Sequence, residues 1–100
     1  MAKYAYPAIF TKEETGYSVT FPDLEGCFSA GETLPEAMEM AADALCLVLY
    51  NKEKCGEAIP SATNVKQVQA ETNAEVFLIF CDTEEYRVFY DNIKKEGELS

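Results

Sequence analysis

Between residues 16 and 37 the chain reads Gly16-Tyr-Ser-Val-Thr-Phe-Pro-Asp-Leu-Glu-Gly-Cys-Phe-Ser-Ala-Gly-Glu-Thr-Leu-Pro-Glu-Ala37. A strand, a reversal, a second strand and a capped helix are written there without a break, which leaves few ways to fold the remainder. Tyr17, Val19 and Phe21 alternate with Ser18 and Thr20, the period of a half-buried strand. In Pro22-Asp-Leu-Glu-Gly26, Pro22 pre-sets one turn dihedral and Gly26 tolerates positive φ, so the chain doubles back. Asp23 and Glu25 are expected in solvent there, with a local Asx-type hydrogen bond the simplest role for Asp23. Residues 27–31 make a further short strand. Thr33-x-x-Glu36 is then a capping box, and Pro35 in the first turn sacrifices no hydrogen bond.

The helix that follows is expected over roughly 34–53, ended by Lys52 and Lys54 near the negative pole of the dipole and by Gly56 as a stop. At 100° per residue Leu34, Ala37, Met38, Ala41, Leu45, Val48 and Leu49 form one stripe, which should pack on the sheet. Met40, Leu47 and Tyr50 point the other way, beside Asp43. Two readings stand: scattered exposed apolar residues, normal on any surface, or a contact patch for a partner or a second copy.

Upstream, Tyr4, Tyr6, Ala8 and Phe10 share one face of a strand, and Pro7 places that strand at an edge or makes it irregular. Residues 57–74 read as a surface connection with a short extended piece at Val65–Val68. Glu75-Val-Phe-Leu-Ile-Phe-Cys81 is apolar on both faces, as in a central, doubly covered strand. Asp82 caps a second helix, on which Tyr86, Phe89, Tyr90 and Ile93 share a face. The order is β-β-β-α-β-α: an α+β domain over 1–94, with a polar tail at 95–100. A four-stranded mixed sheet is expected, a three-stranded antiparallel meander with one helix packed on its face.

Composition limits function more than fold. Eighteen acidic residues against eight basic ones give a net charge of −10, which repels phosphate backbones and favours a basic partner. Direct nucleic-acid binding is not expected, and Tyr4, Tyr6 and Tyr17, lacking interleaved Lys or Arg, read as packing residues and not as base-stacking ones. The four cysteines, Cys27, Cys46, Cys55 and Cys81, are widely spaced, and histidine is absent. Neither a zinc site nor a redox pair fits that spacing. Met1-Ala-Lys-Tyr runs directly into strand sequence, and the longest apolar run is too short to cross a bilayer, so a cytoplasmic protein with reduced thiols is expected.

Catalytic groups are scarce: no Ser-His or Cys-His pair, P-loop or dinucleotide fingerprint occurs, and no cofactor is expected. Asp82 is the one carboxylate placed by topology near a sheet end. A single carboxylate is a poor metal site, so its role as a cap outweighs a role as a ligand.

Taken in order, Tyr6-Pro-Ala-Ile-Phe10, the run from Gly16 to Cys27, Gly31-Glu-Thr-Leu-Pro-Glu-Ala37, Ala41-x-x-Ala-Leu45 and Gly56-x-x-Ile-Pro60 resemble the HicB family of antitoxins. Asp82-Thr-Glu-Glu-Tyr-Arg87 is similar to the family's later segment. The resemblance implies a partial ribonuclease-H-like domain without the nuclease's carboxylates. It also implies capture of a small basic HicA-like, mRNA-cleaving toxin, and self-association as a dimer or tetramer. Glu32 stands where the family usually has Asp. The helix-turn-helix or ribbon-helix-helix segment that most members carry is not found before Ser100, so operator binding is not carried over. Two other readings compete with an antitoxin: an orphan self-associating module, and a residual metal-dependent nuclease using Asp82.

Overall fold

A computed structural model describes residues 3–86 and Val88. The elements are β1 (Lys3–Glu13), β2 (Gly16–Thr20), β3 (Phe28–Gly31), α1 (Leu34–Cys55), α2 (Val65–Ala70) and β4 (Glu75–Asp82). Helical backbone resumes at 83–86. Phe89, Tyr90 and Ile93 of the expected second helix, and the boundary at 94/95, lie outside the described residues.

The strands lie in the order β3-β2-β1-β4, and each neighbouring pair is antiparallel. The expected mixed sheet is therefore wholly antiparallel, and the reason lies in the path of the chain. A parallel fourth strand would begin where α1 ends. Instead residues 56–74 carry the chain back along the sheet, so β4 descends beside β1 with Lys3 opposite Asp82 and Phe10 opposite Glu75.

Two strand assignments change with this order. β1 is interior, although it contains Pro7. Its pairing with β2 begins only at Ile9, so on that flank Pro7 interrupts no ladder. β4, expected to be central and covered on both sides, is an edge strand.

The core fills one face of the sheet. Tyr6, Ala8 and Phe10 of β1, Val19 of β2, Ile79 and Cys81 of β4, and Phe21, Leu24 and Cys27 around the turn close against Ala37, Ala41, Leu45 and Leu49 of α1. Leu34, Met38 and Val48 pack at its margin, completing the predicted stripe. Phe10 and Phe77 meet edge to face, with ring centroids 5.2 Å apart. At Gly31, β3 approaches α1 so closely that an added Cβ would sit 2.5 Å from the Ala37 nitrogen.

Both ends of α1 follow from local chemistry. Thr33 Oγ1 accepts the Glu36 N–H at 3.3 Å, and Glu36 Oε1 accepts the Glu32 N–H at 3.2 Å, one residue ahead of the usual capping-box partner. Gly56 takes φ 70°, donating its N–H to Glu53 O, while the Glu57 N–H goes to Lys52 O, a Schellman motif. The helix thus runs on to Cys55, past the expected end near 53. The extended piece expected at Val65–Val68 is instead α2, because Asn64 Oδ1 accepts the Lys66 N–H at 2.8 Å and caps a helix there.

Candidate partner interface

The turn at 22–26 is held from within. The Phe21 N–H donates to Cys27 O, the Leu24 N–H to Phe21 O and the Cys27 N–H to Leu24 O, each at 3.1 Å. Gly26 supplies the positive φ the reversal needs, at 78°. Asp23 is not simply solvated, and its bond is not local. Its Oδ2 accepts the Thr63 N–H at 2.8 Å and its Oδ1 accepts the Thr63 hydroxyl, a link across 40 residues of chain. Tyr6 Oη donates to Pro60 O nearby. Together these two contacts pin residues 60–63 beside the turn, so the turn that looked exposed and acidic in sequence is a fastening point. Burial, then the neighbouring Asp23 carboxylate, pushes the Tyr6 hydroxyl pKa up.

A second fastening joins three elements at the foot of the sheet. Tyr4 Oη donates to Glu53 Oε2 at 2.7 Å, and Thr83 Oγ1 donates to the same oxygen at 3.0 Å. The bond to Glu53, reinforced by desolvation, pushes the Tyr4 hydroxyl up to about 12. Burial by itself would raise the Glu53 carboxyl; the Tyr4 and Thr83 hydroxyls, together with the positive charge of the amino terminus, act against it, and the group ends below its ordinary range. Asp82, beside this cluster, accepts the Glu84 and Glu85 N–H groups at 3.0 and 3.3 Å. Among the described residues no three His, Cys, Asp or Glu side chains converge as a metal site would need. Cys27 and Cys81 are buried, Cys46 half-buried and Cys55 exposed, all as free thiols. Burial pushes the Cys27 thiol up to about 11, the opposite of what an activated nucleophile needs.

Among the described residues of the sheet and α1, the exposed large apolar side chains fall on two dissimilar faces. The first is the outward side of α1. Glu36, Glu39, Met40, Asp43 and Leu47 follow at helical spacing and are all exposed, Met40 at 45% and Leu47 at 46%. Of the four residues singled out in sequence, Met40, Asp43 and Leu47 share this exposed stripe. Tyr50 is half-buried and meets Tyr86 with ring centroids 5.5 Å apart, so the chain's own later segment occupies it. The acidic character extends past the helix start: Glu13, Glu32 and Glu36 line a shallow hollow with Gly16, Tyr17 and Gly31.

The second face is the side of the sheet away from α1, which sequence reasoning did not single out. Phe28 and Phe80 are each 70% exposed and Leu78 is 40% exposed. The pairing puts them on one surface: Phe28 lies opposite Thr20, Thr20 opposite Ile9, Ile9 opposite Val76, Pro7 opposite Leu78 and Ala5 opposite Phe80. The signal was present in the two-sided apolar pattern of β4. It pointed to a second cover that this chain does not supply among its described residues.

An acidic α+β domain with a long amphipathic helix on one face of a four-stranded antiparallel sheet has known counterparts. A family model described as "HicB_like antitoxin of bacterial toxin-antitoxin system" matches residues 6–88. The chain is 34% identical over 74 residues to an uncharacterised 14.9 kDa protein of Haemophilus phage HP1, covering 74% of this chain and 56% of the phage protein. It is 48% identical over 40 residues to Antitoxin HicB 2 of Photorhabdus laumondii, covering 40% of this chain and 29% of that one. Its fold matches a chain in a toxin–antitoxin complex from Streptococcus pneumoniae with a TM-score of 0.71 at 20% identity, covering 84% of this chain and 72% of the other. The protein belongs to the HicB-like antitoxin family. It spans little more than half of the phage protein and under a third of the Photorhabdus one. Among the described residues no helix is long and apolar enough to cross a membrane.

Proposed function

We propose that this protein is a non-catalytic antitoxin of the cytoplasm that binds and neutralises a small basic, HicA-like mRNA-cleaving toxin. The observation that carries this reading is the exposed stripe of α1, where Glu36, Glu39 and Asp43 surround Met40 and Leu47. Carboxylates around an apolar centre suit a basic partner: the charges steer and orient the encounter, and the desolvated apolar residues hold it. Family membership supplies the kind of partner, and the net charge of −10 supplies the field that draws it in. Nothing in this scheme asks the antitoxin to perform chemistry. Blocking access to a ribonuclease site is enough.

The test is reconstitution with a small basic HicA-like protein, sought first in the adjacent reading frames. The two should co-purify, and RNA cleavage by the toxin should fall in proportion to the antitoxin added. A charge-reversed chain carrying Glu36→Lys, Glu39→Lys and Asp43→Lys should associate at least about tenfold more slowly at low salt. Undiminished RNA cleavage with excess antitoxin would defeat the proposal. An unchanged association rate for the triple variant would remove α1 from it.

A further inference from the structure

We infer that Cys46 of α1 and Cys81 of β4 are a reversible thiol pair, which oxidised glutathione converts to a disulfide clamping helix to sheet in the folded chain. Far apart in sequence, the two residues are brought together by the register of α1 on the end of β4. Three other contacts fix that register. Glu53 accepts the Thr83 hydroxyl at 3.0 Å, and at 2.7 Å that of Tyr4, which pairs with Cys81 across the sheet. Tyr50, three residues before Glu53, packs on Tyr86 with ring centroids 5.5 Å apart. Cys46 stands one helical turn before Tyr50, on the same side of α1, and its side chain packs against the core that contains Cys81. There the Cys81 S–H donates to the Cys46 sulfur, and the Asp82 N–H donates to it as well. Two sulfurs already in contact need little more than side-chain rotation to reach bonding distance.

The two thiols differ in the way an exchange reaction needs. Cys46 is half-buried and within reach of a small disulfide, whereas Cys81 is buried behind it. At Cys46 the bonds from the Cys81 S–H and the Asp82 N–H favour the thiolate. Burial and the Asp43 and Asp82 carboxylates oppose it, and the group ends below its ordinary range. The bond to Cys46, then burial, hold the Cys81 thiol above its own. Cys46 is therefore the attacking group. Its thiolate displaces one glutathione thiolate from oxidised glutathione, leaving a mixed disulfide. Cys81 then gives its proton to solvent and attacks the Cys46 sulfur, and the bond to glutathione breaks as the Cys46–Cys81 bond forms. The two cysteines lose two electrons and two protons, and oxidised glutathione takes up both pairs to become two thiols. Reduced glutathione runs the sequence backwards, as it does for labile disulfides in reducing compartments. Cys55, exposed at the last residue of α1, is open to glutathione and to another chain's thiols, so the test removes it.

The full chain carrying Cys55→Ser is equilibrated with mixtures of reduced and oxidised glutathione, its free thiols are alkylated, and its peptides are mapped by mass spectrometry. Folded, it should yield one intramolecular disulfide joining the Cys46 and Cys81 peptides, reversed by dithiothreitol. Oxidised in urea, the same chain should give mixed pairings that include Cys27. The disulfide closes a long loop in the unfolded chain, so the oxidised form should unfold at a urea midpoint about 1 M above the reduced form. Adding Cys46→Ser, with circular dichroism confirming the fold, should abolish both the bond and the rise. Cys46 and Cys81 both left free under excess oxidised glutathione would overturn the inference. So would glutathione retained on Cys46, since Cys81 would then not reach it, and so would a folded chain whose pairings match those formed in urea.

Discussion

Glu53 shows how one side chain can set the stability limits of a small fold at both ends of the pH scale. It sits at the last turn of α1, where it accepts from Tyr4 at the start of β1 and from Thr83 just beyond β4. Burial opposes its charged form, but both bonds and the positive amino terminus favour it, and the carboxyl titrates lower in the folded chain than in the unfolded one. The stability tied to this depression is present above the unfolded value, about 4.3 for Glu, and is lost as pH falls through the folded value. Tyr4 works in the opposite direction. Its hydroxyl is held neutral up to about 12, against 10.0 for an ordinary tyrosine. Its contribution is therefore complete below pH 10 and lost as pH rises from there to about 12. In Tyr4→Phe, denaturation across a pH series should show about 1 kcal/mol less stability at neutral pH and a shallower alkaline decline. A tyrosinate absorbance titration should lose its highest-pH step. An unaltered alkaline limb in that variant would mean the bond to Glu53 is not formed in solution.

At the scale of elements, two glycines give the same substitution two different meanings. Gly31→Ala drives a methyl group into the backbone of α1 at Ala37, and strand and helix must separate. The expected loss is about 3 kcal/mol, at the upper end of overpacking costs. Gly56→Ala meets open space but must hold a positive φ of 70°, and should lose about 1 kcal/mol. Urea midpoints of the two variants should rank in that order, and equal losses would contradict the close approach at Gly31. Features that depend on near neighbours were legible in the sequence: the Thr33 cap, the Gly56 stop, the buried stripe of α1 and the reversal at 22–26. What sequence could not supply were decisions made at a distance. Asp23 is indistinguishable locally from a solvated turn carboxylate, because its partner Thr63 lies far along the chain. The direction of β4 depends on residues 56–74 turning back along the sheet. Apolar residues on both sides of β4 mark burial, but cannot say whether the same chain or another provides it.

For the whole molecule, the proposed capture of a basic partner by an acidic chain predicts a marked response to salt. Capture of a basic partner through Glu36, Glu39 and Asp43 relies on attraction between unlike charges at an exposed surface. That attraction weakens as the Debye length shrinks from about 10 Å at 0.1 M to about 3 Å at 1 M. Between about 0.05 and 0.5 M sodium chloride the association rate with the toxin should therefore fall several-fold. The charge-reversed Glu36→Lys, Glu39→Lys and Asp43→Lys chain, having lost that attraction, should show a much flatter dependence. If the wild-type rate stays constant across that range, or if both proteins lose rate in parallel, the α1 carboxylates do not steer the encounter and the partner is met elsewhere on the surface.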